Sequence, residues 1–161
     1  LEIRSAKQDE IVVVRDIILE SFKEYAGLLH PPSGALSETL ESISSKVERG
    51  GAVIVWEDTE PVGTALYNFV DDYMYIGRVA VLPKHRGKGI GKVIMAHLEQ
   101  LALHKGYNKT RLGVRLSLPD NLMFYQKLHY ISIEEHEYPD KTDKWHIMVK
   151  ELKDKAEKEI S

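Results

Sequence analysis

The 161-residue sequence contains no cysteine. Disulfide bonds, thiolate metal sites and cysteine nucleophiles are therefore excluded. No apolar run approaches the roughly 18 residues that a membrane-spanning helix requires, and the first residues lack the composition of a secretory signal. The expectation is a cytoplasmic protein without a membrane partner. An excess of one charge sign is also missing: 22 Lys and Arg against 25 Asp and Glu leave a formal net charge of −3. That balance offers no general attraction to a phosphate backbone, so no nucleic-acid partner is expected. The histidines are scattered, and none has a neighbouring ligand that would complete a metal site, so no metal is expected. What is present is ordinary globular composition, 43% hydrophobic and 29% charged, in a length suited to one domain with a continuous core.

Glu2–Ser5 reads as a short first strand. A helix opens at Asp9 or Glu10 and carries Ile11, Val14, Ile18 and Phe22 at helical spacing. Its β-branched run Ile11–Val14 is a poor intrinsic helix former, so packing has to supply the preference. Pro31–Pro32 and the flanking glycines interrupt regular structure over Ala26–Gly34. Ser37 can cap a second helix with the buried stripe Leu40, Ile43 and Val47, and Gly50–Gly51 ends it. Strands follow at Ala52–Glu57, Val62–Val70 and Tyr73–Leu82. The turns between them, Asp58–Pro61 and Asp71–Asp72, are short enough for antiparallel hairpins. Beyond Pro83–Gly89 the period changes: Ile90, Val93, Ile94, Leu98 and Leu101 fall at helical spacing until Gly106. Thr110–Leu116 reads as a buried strand, Pro119 starts a helix through Leu128, and Tyr130–Tyr138 and Trp145–Leu152 are the last strands. The order βααβββαβαββ makes residues 1–152 one α/β domain. Residues 153–161 form a charged C-terminal extension, expected as a solvated helix or a frayed tail.

The sharpest local feature is Val81-Leu-Pro-Lys-His-Arg-Gly-Lys-Gly-Ile-Gly-Lys92. A glycine-rich segment between a strand and an apolar helix suits an anion held at a helix N-terminus, where backbone amides converge and small residues admit a phosphate. Glycine clusters serve purely structural turns equally well, and the residues alone leave both readings open. Common nucleotide motifs fit poorly. Counted from Gly87 or Gly89, the last glycine of a dinucleotide fingerprint would fall at Lys92 or Ile94. A P-loop ending at Gly91-Lys92 would need glycine where Arg86 stands and Ser or Thr where Val93 stands.

The segment does resemble the cofactor motif of the GNAT superfamily of acetyl-CoA-dependent N-acetyltransferases. That motif, (Gln or Arg)-x-x-Gly-x-(Gly or Ala), is matched by Arg86-Gly-Lys-Gly89-Ile-Gly91, after a strand end Val81-Leu-Pro-Lys-His85. The resemblance implies a single-domain GNAT-like α/β fold: a mixed sheet flanked by helices, with the glycine-rich loop between a central strand and a helix. It implies acetyl-CoA as cosubstrate, its pyrophosphate cradled by Arg86, Gly87, Gly89 and Gly91, with Lys88 and Lys92 nearby. The two lysines are electrostatic contributors or a solvated helix face. Val79 and Val81 would offer backbone groups to the pantetheine arm, much as an added strand would.

A second match is Leu118-Pro-Asp-Asn121-Leu-Met-Phe-Tyr125-Gln-Lys-Leu-His-Tyr130, where the family has Asn before a helix carrying Tyr and then a Leu-Gly-aromatic turn. Position 129 is His where relatives usually have glycine. Asn121 and Tyr125 lie four residues apart, on one helix face. By resemblance Asn121 positions the cofactor arm, and Tyr125 approaches the thioester sulfur as acid or hydrogen-bond donor. A core tyrosine with a satisfied hydroxyl is the plainer alternative.

The implied reaction is direct acetyl transfer to an acceptor amine. An alkyl amine with pKa near about 10.4 must first lose a proton, which costs roughly 4–5 kcal/mol at pH 7. Many relatives carry a glutamate on the strand before the glycine loop, but Tyr73–Leu82 contains no carboxylate. A water relay, a remote acid or a weakly basic amine therefore remain open as proton manager. Tyr25, His30 and Arg115 are candidates to shape the acceptor pocket, and Arg115 could pair with an acceptor carboxylate or form a surface salt bridge. The oligomeric expectation is a homodimer. The competing function is a noncatalytic acyl-CoA-binding regulatory protein.

Overall fold

The computed structural model describes residues 1–153. The charged extension lies, beyond residue 153, outside the described residues. One sheet carries the strands in the order β1-β2-β3-β4-β5-β7-β6. In chain order the elements are β1 (Glu2–Ser5), α1 (Ile11–Phe22), α2 (Leu40–Glu48), β2 (Gly50–Glu57), β3 (Glu60–Val70) and β4 (Tyr73–Val81). They continue with α3 (Ile90–His104), β5 (Lys109–Arg115), α4 (Pro119–Lys127), β6 (Ile131–Glu137) and β7 (Lys144–Glu151). Every pairing is antiparallel except that of β4 with β5. The mixed sheet flanked by helices is the expected architecture.

Both faces of the sheet are covered, which is why β2 is buried at successive residues from Gly51 to Val55. The strand pleat sends Ala52 and Ile54 into one core with Ile11, Val14, Ile18 and Ile43. Val53 and Val55 enter the other, with Ile90, Ile94 and Leu98. Packing therefore supplies what the β-branched run lacks: Ile11, Val14, Ile17 and Ile18 of α1 are all buried.

Four local expectations are corrected. Thr39, not Ser37, caps α2: its Oγ1 accepts from the Ser42 amide at 3.1 Å, and Ser42 Oγ accepts from the Thr39 amide at 2.8 Å. Thr39 wins because Ser42, three residues on, can return the hydrogen bond; Ser37 closes the preceding 3-10 turn. Leu40 begins α2 and is 40% exposed, so the buried stripe reduces to Ile43 with Val47 beside it. Gly50 and Gly51 belong to β2 rather than to a helix stop, since a Cβ on Gly50 would collide with the Tyr67 carbonyl. The β2–β3 hairpin is also tighter than expected, with pairing carried to Glu57↔Glu60 and Asp58 in a left-handed conformation.

Irregularities of β4 open the sheet where the glycine loop begins. β4 pairs with β5 only at Met74↔Thr110 and Tyr75↔Arg111. Beyond Tyr75 the two strands separate, leaving that edge of β4 without a strand partner among the described residues. On the opposite edge, pairing passes from Thr64↔Ala80 to Leu66↔Gly77, so Arg78 and Val79 together face Ala65. This bulge puts Arg78 at φ +51° and re-aims its side chain.

Candidate active site

Two cavities meet at Val79, Asn121 and Tyr125. The first, of about 520 Å³, runs along the glycine loop. The second, of about 290 Å³, occupies the gap where β4 and β5 separate. One face of α4 thus borders both, as the spacing of Asn121 and Tyr125 anticipates.

The loop leaves β4 through a 3-10 turn at Pro83–His85 and enters α3 with Gly89 as N-cap. Gly87 and Gly89 both take φ +80°, and a Cβ on either would meet nothing within 4 Å. From Gly87 through Lys92, no backbone amide has an acceptor among the described residues. Successive free donors, a helix N-terminus and open space above two glycines form a cradle that fits a phosphate. Gly91 lacks a side chain for another reason: a Cβ there would sit 3.1 Å from Phe124 Cζ, so the glycine lets α3 approach α4.

The side chains around this cradle are largely engaged with protein. Arg86 reaches back to α1, donating from Nη2 to the Ser21 carbonyl at 3.0 Å and from Nη1 to Glu24 at 2.5 Å. Its Nε also donates to the Val81 carbonyl at 3.3 Å. The Arg86 guanidinium therefore fixes the loop, while its neighbouring amides face the cavity. Lys88 Nζ lies 3.1 Å from His85 Nδ1 and 3.6 Å from Glu57, and Lys92 lines the cavity. His85 is buried and braced by Glu57 and Glu60. Val79 and Val81 line the cavity from β4.

Tyr125 is held by its ring, which packs edge-on against Phe124 and Tyr130 at 5.0 and 5.9 Å. Its hydroxyl has no hydrogen-bond partner among the described residues, unlike the Tyr130 hydroxyl, which bonds Thr110 and Glu99. Burial, with a smaller contribution from Tyr75, pushes the Tyr125 phenol above its ordinary pKa. The group is thus protonated at neutral pH and is a donor rather than a base. The helix ends just beyond it in a Schellman motif: Tyr130 N donates to the Tyr125 carbonyl and His129 N to the Gln126 carbonyl, each at 3.0 Å. His129 takes φ +75°, the left-handed conformation that explains the usual glycine there.

The acceptor-side candidates are placed differently from one another. Arg115 lines the second cavity, with Nε donating to Asp143 at 2.6 Å and its guanidinium over the Tyr138 ring. The pair is buried, not a surface salt bridge: the side chains are 9% and 8% exposed. Tyr25 borders the glycine-loop cavity instead, packed against Phe22, and burial raises its pKa. His30 is exposed and borders neither cavity; its carbonyl accepts from the Thr142 hydroxyl. Sequence reasoning missed Arg78, Tyr75 and Trp145, which also line the second cavity. For Arg78 a signal existed, since it is the one charged residue in Tyr73–Val81. Among the described residues, no group of three His, Asp or Glu is placed to hold a metal ion, and no helix is long and apolar enough to cross a membrane.

A separated β4–β5 pair, an amide-lined glycine loop and a tyrosine shared by two cavities thus lie side by side. The chain belongs to the acetyltransferase (GNAT) family, whose model matches residues 14–130. It is similar to the uncharacterized N-acetyltransferase YjcF of Bacillus subtilis (strain 168), 28% identical over 103 residues, which cover 64% of this chain and 69% of that protein. It is also similar to the uncharacterized protein YyaT of the same organism, at 29% identity over 100 residues, 62% of this chain and 65% of that one. The fold is shared with the PaiA N-acetyltransferase of Thermoplasma acidophilum, solved in complex with coenzyme A, at TM-score 0.78 and 20% identity over 94% of this chain and 98% of that chain. The general reaction of the family is acetyl transfer from acetyl-CoA to an amine.

Proposed function

We propose that this protein is an acetyl-CoA-dependent N-acetyltransferase that moves the acetyl group directly to a primary amine. The observation that carries the reading is the run of free amides from Gly87 to Lys92, beside a cavity that Tyr125 also lines. In this reading the cradle binds the pyrophosphate, and the partnerless edge of β4 at Val79 and Val81 receives the pantetheine arm by strand-like hydrogen bonds. Asn121 steadies that arm. The acceptor enters through the second cavity, and its nitrogen attacks the thioester carbonyl as the C–S bond breaks. The sulfur leaves with a hydrogen bond or proton from Tyr125, and holding both reactants in adjoining cavities supplies proximity.

The test is a panel of primary amines incubated with acetyl-CoA, followed by thiol release and product mass. Acceptor-dependent release of CoA with an acetylated product is expected. Acetyl-CoA binding without release for any amine would replace this reading by that of a noncatalytic acyl-CoA-binding protein.

A further inference from the structure

Among the described residues, the charged side chains that line the cavities beside β4 and β5 are all cationic. The cavity in the β4–β5 gap adjoins another of about 430 Å³, and both border Tyr75, Gly77 and Arg78. Together they are lined by Lys46, Arg49, Arg78 and Arg115, and by no carboxylate. This runs against a sequence whose net charge is −3.

Neutralisation of those cations is incomplete. One buried carboxylate, Glu38, serves both Lys46 and Arg78, the latter at 3.6 Å. Arg49 has no ion-pair partner among the described residues. Arg115 is paired with Asp143 through Nε, yet its Nη2 is buried without an acceptor, and so is Arg78 Nε.

Resting on the acetyltransferase reading, we infer that the acceptor is a small amine that also carries a carboxylate, of the amino-acid class, with Arg78 as its main specificity-determining contact. A carboxylate would pair with the part-exposed Arg78 guanidinium and balance the surplus positive charge. The same charges bear on the missing base. Nearby cations disfavour an ammonium and lower the pKa of an amine held among them, so the free base that attacks is favoured without a carboxylate to take its proton. A polycation would be repelled by the same field. The carboxylate is a spectator: the acetyl group leaves sulfur for nitrogen, and the amine proton departs to solvent.

The experiment compares glycine, methionine and phenylalanine with their carboxamides, and with spermidine, as acceptors at saturating acetyl-CoA. Each carboxamide has the less basic amine and would be the faster acceptor on reactivity alone. The expected result is a kcat/KM at least tenfold higher for the acid forms and no turnover of spermidine. Arg78→Gln should reduce the acid-to-amide ratio several-fold through KM of the acid, leaving KM of the amide unchanged. Equal or faster turnover of the amides, or efficient turnover of spermidine, overturns the inference and leaves acetyl transfer intact. Failure of every acceptor while acetyl-CoA still binds overturns the transferase reading instead. Fluorescence titration of Trp145 with the N-acetylated acids and N-acetylated amides then decides the anion site: tighter binding of the acids, weakened by Arg78→Gln, supports it, and equal binding overturns it.

Discussion

Gly89 is the position at which a single side chain would harm the loop in two ways. Its φ of +80° is left-handed, so any L-residue there is strained, at a cost of roughly 1–2 kcal/mol. Its Cβ direction is open, so a longer side chain would occupy the space in front of the free amides. In Gly89→Glu the added carboxylate also repels phosphate. Losing one or two charge-assisted hydrogen bonds, each worth about 1.5–3 kcal/mol, predicts acetyl-CoA binding weakened by at least about tenfold. Calorimetric titration of the folded variant checks this, and an unchanged dissociation constant would remove the phosphate from the loop. Tyr125 poses the complementary case. Phenylalanine keeps the ring contacts with Phe124 and Tyr130 and removes only a hydroxyl that has no partner among the described residues. Stability and acetyl-CoA affinity should therefore change little in Tyr125→Phe, while single-turnover transfer slows. General acid catalysis contributes on the order of 10²–10⁴-fold, and a supporting hydrogen bond less. A wild-type transfer rate in the folded variant would exclude the acid role and pass proton management to water or the acceptor.

At the scale of elements, sequence and structure agree wherever one segment contains its own signal. The period change after Gly89, the proline at the start of α4 and the four-residue spacing of Asn121 and Tyr125 are all local. Each needs nothing beyond its own residues to be read. The glycine loop was legible as a strand-to-helix turn rich in free amides because amides, helix start and glycines are contiguous. Its individual glycines were not separable, because the role of Gly91 depends on Phe124 some thirty residues away. The acceptor side was harder for the same reason. Its cavity exists because β4 and β5 pair at only two positions and β4 bulges at Arg78–Val79, and neither fact is written in a hydrophobic period. Tyr25 and His30 came from one irregular stretch, yet that stretch places Tyr25 beside the glycine loop and leaves His30 exposed. Ser37 and Thr39 illustrate the point on a smaller scale. Both can cap a helix, and only the reciprocal bond to Ser42 decides between them.

For the molecule as a whole, acid should expose how much stability the β5–β7 junction contributes. Arg115 ends β5, and Asp143 precedes β7, so their buried ion pair ties together strands that also pair along their length. Burial would raise the Asp143 carboxyl, but hydrogen bonds from Arg115 and Ser117 outweigh it and hold the pKa below the ordinary carboxylate value. A carboxyl depressed in the folded state binds its proton more readily when unfolded. Its contribution is therefore fully present above the unfolded value, about 3.9, and is lost as pH falls through the lower folded value. Removing one partner of a buried pair costs about 3–5 kcal/mol, less where the replacement keeps a hydrogen bond, as asparagine can. Asp143→Asn should thus be clearly less stable than wild type in urea at pH 7. The difference should begin to narrow below about pH 4, where the unfolded carboxyl takes up its proton, and narrow further as pH falls through the lower folded value. His97, whose pKa burial lowers, and the exposed carboxylates Glu60 and Asp72, lowered by their lysine partners, do not bond Asp143 or Arg115, so their contributions cancel in the comparison. A stability difference that stays constant from pH 7 to pH 3 would show that the Asp143 charge is not what holds Arg115 at the edge of the β4–β5 cavity.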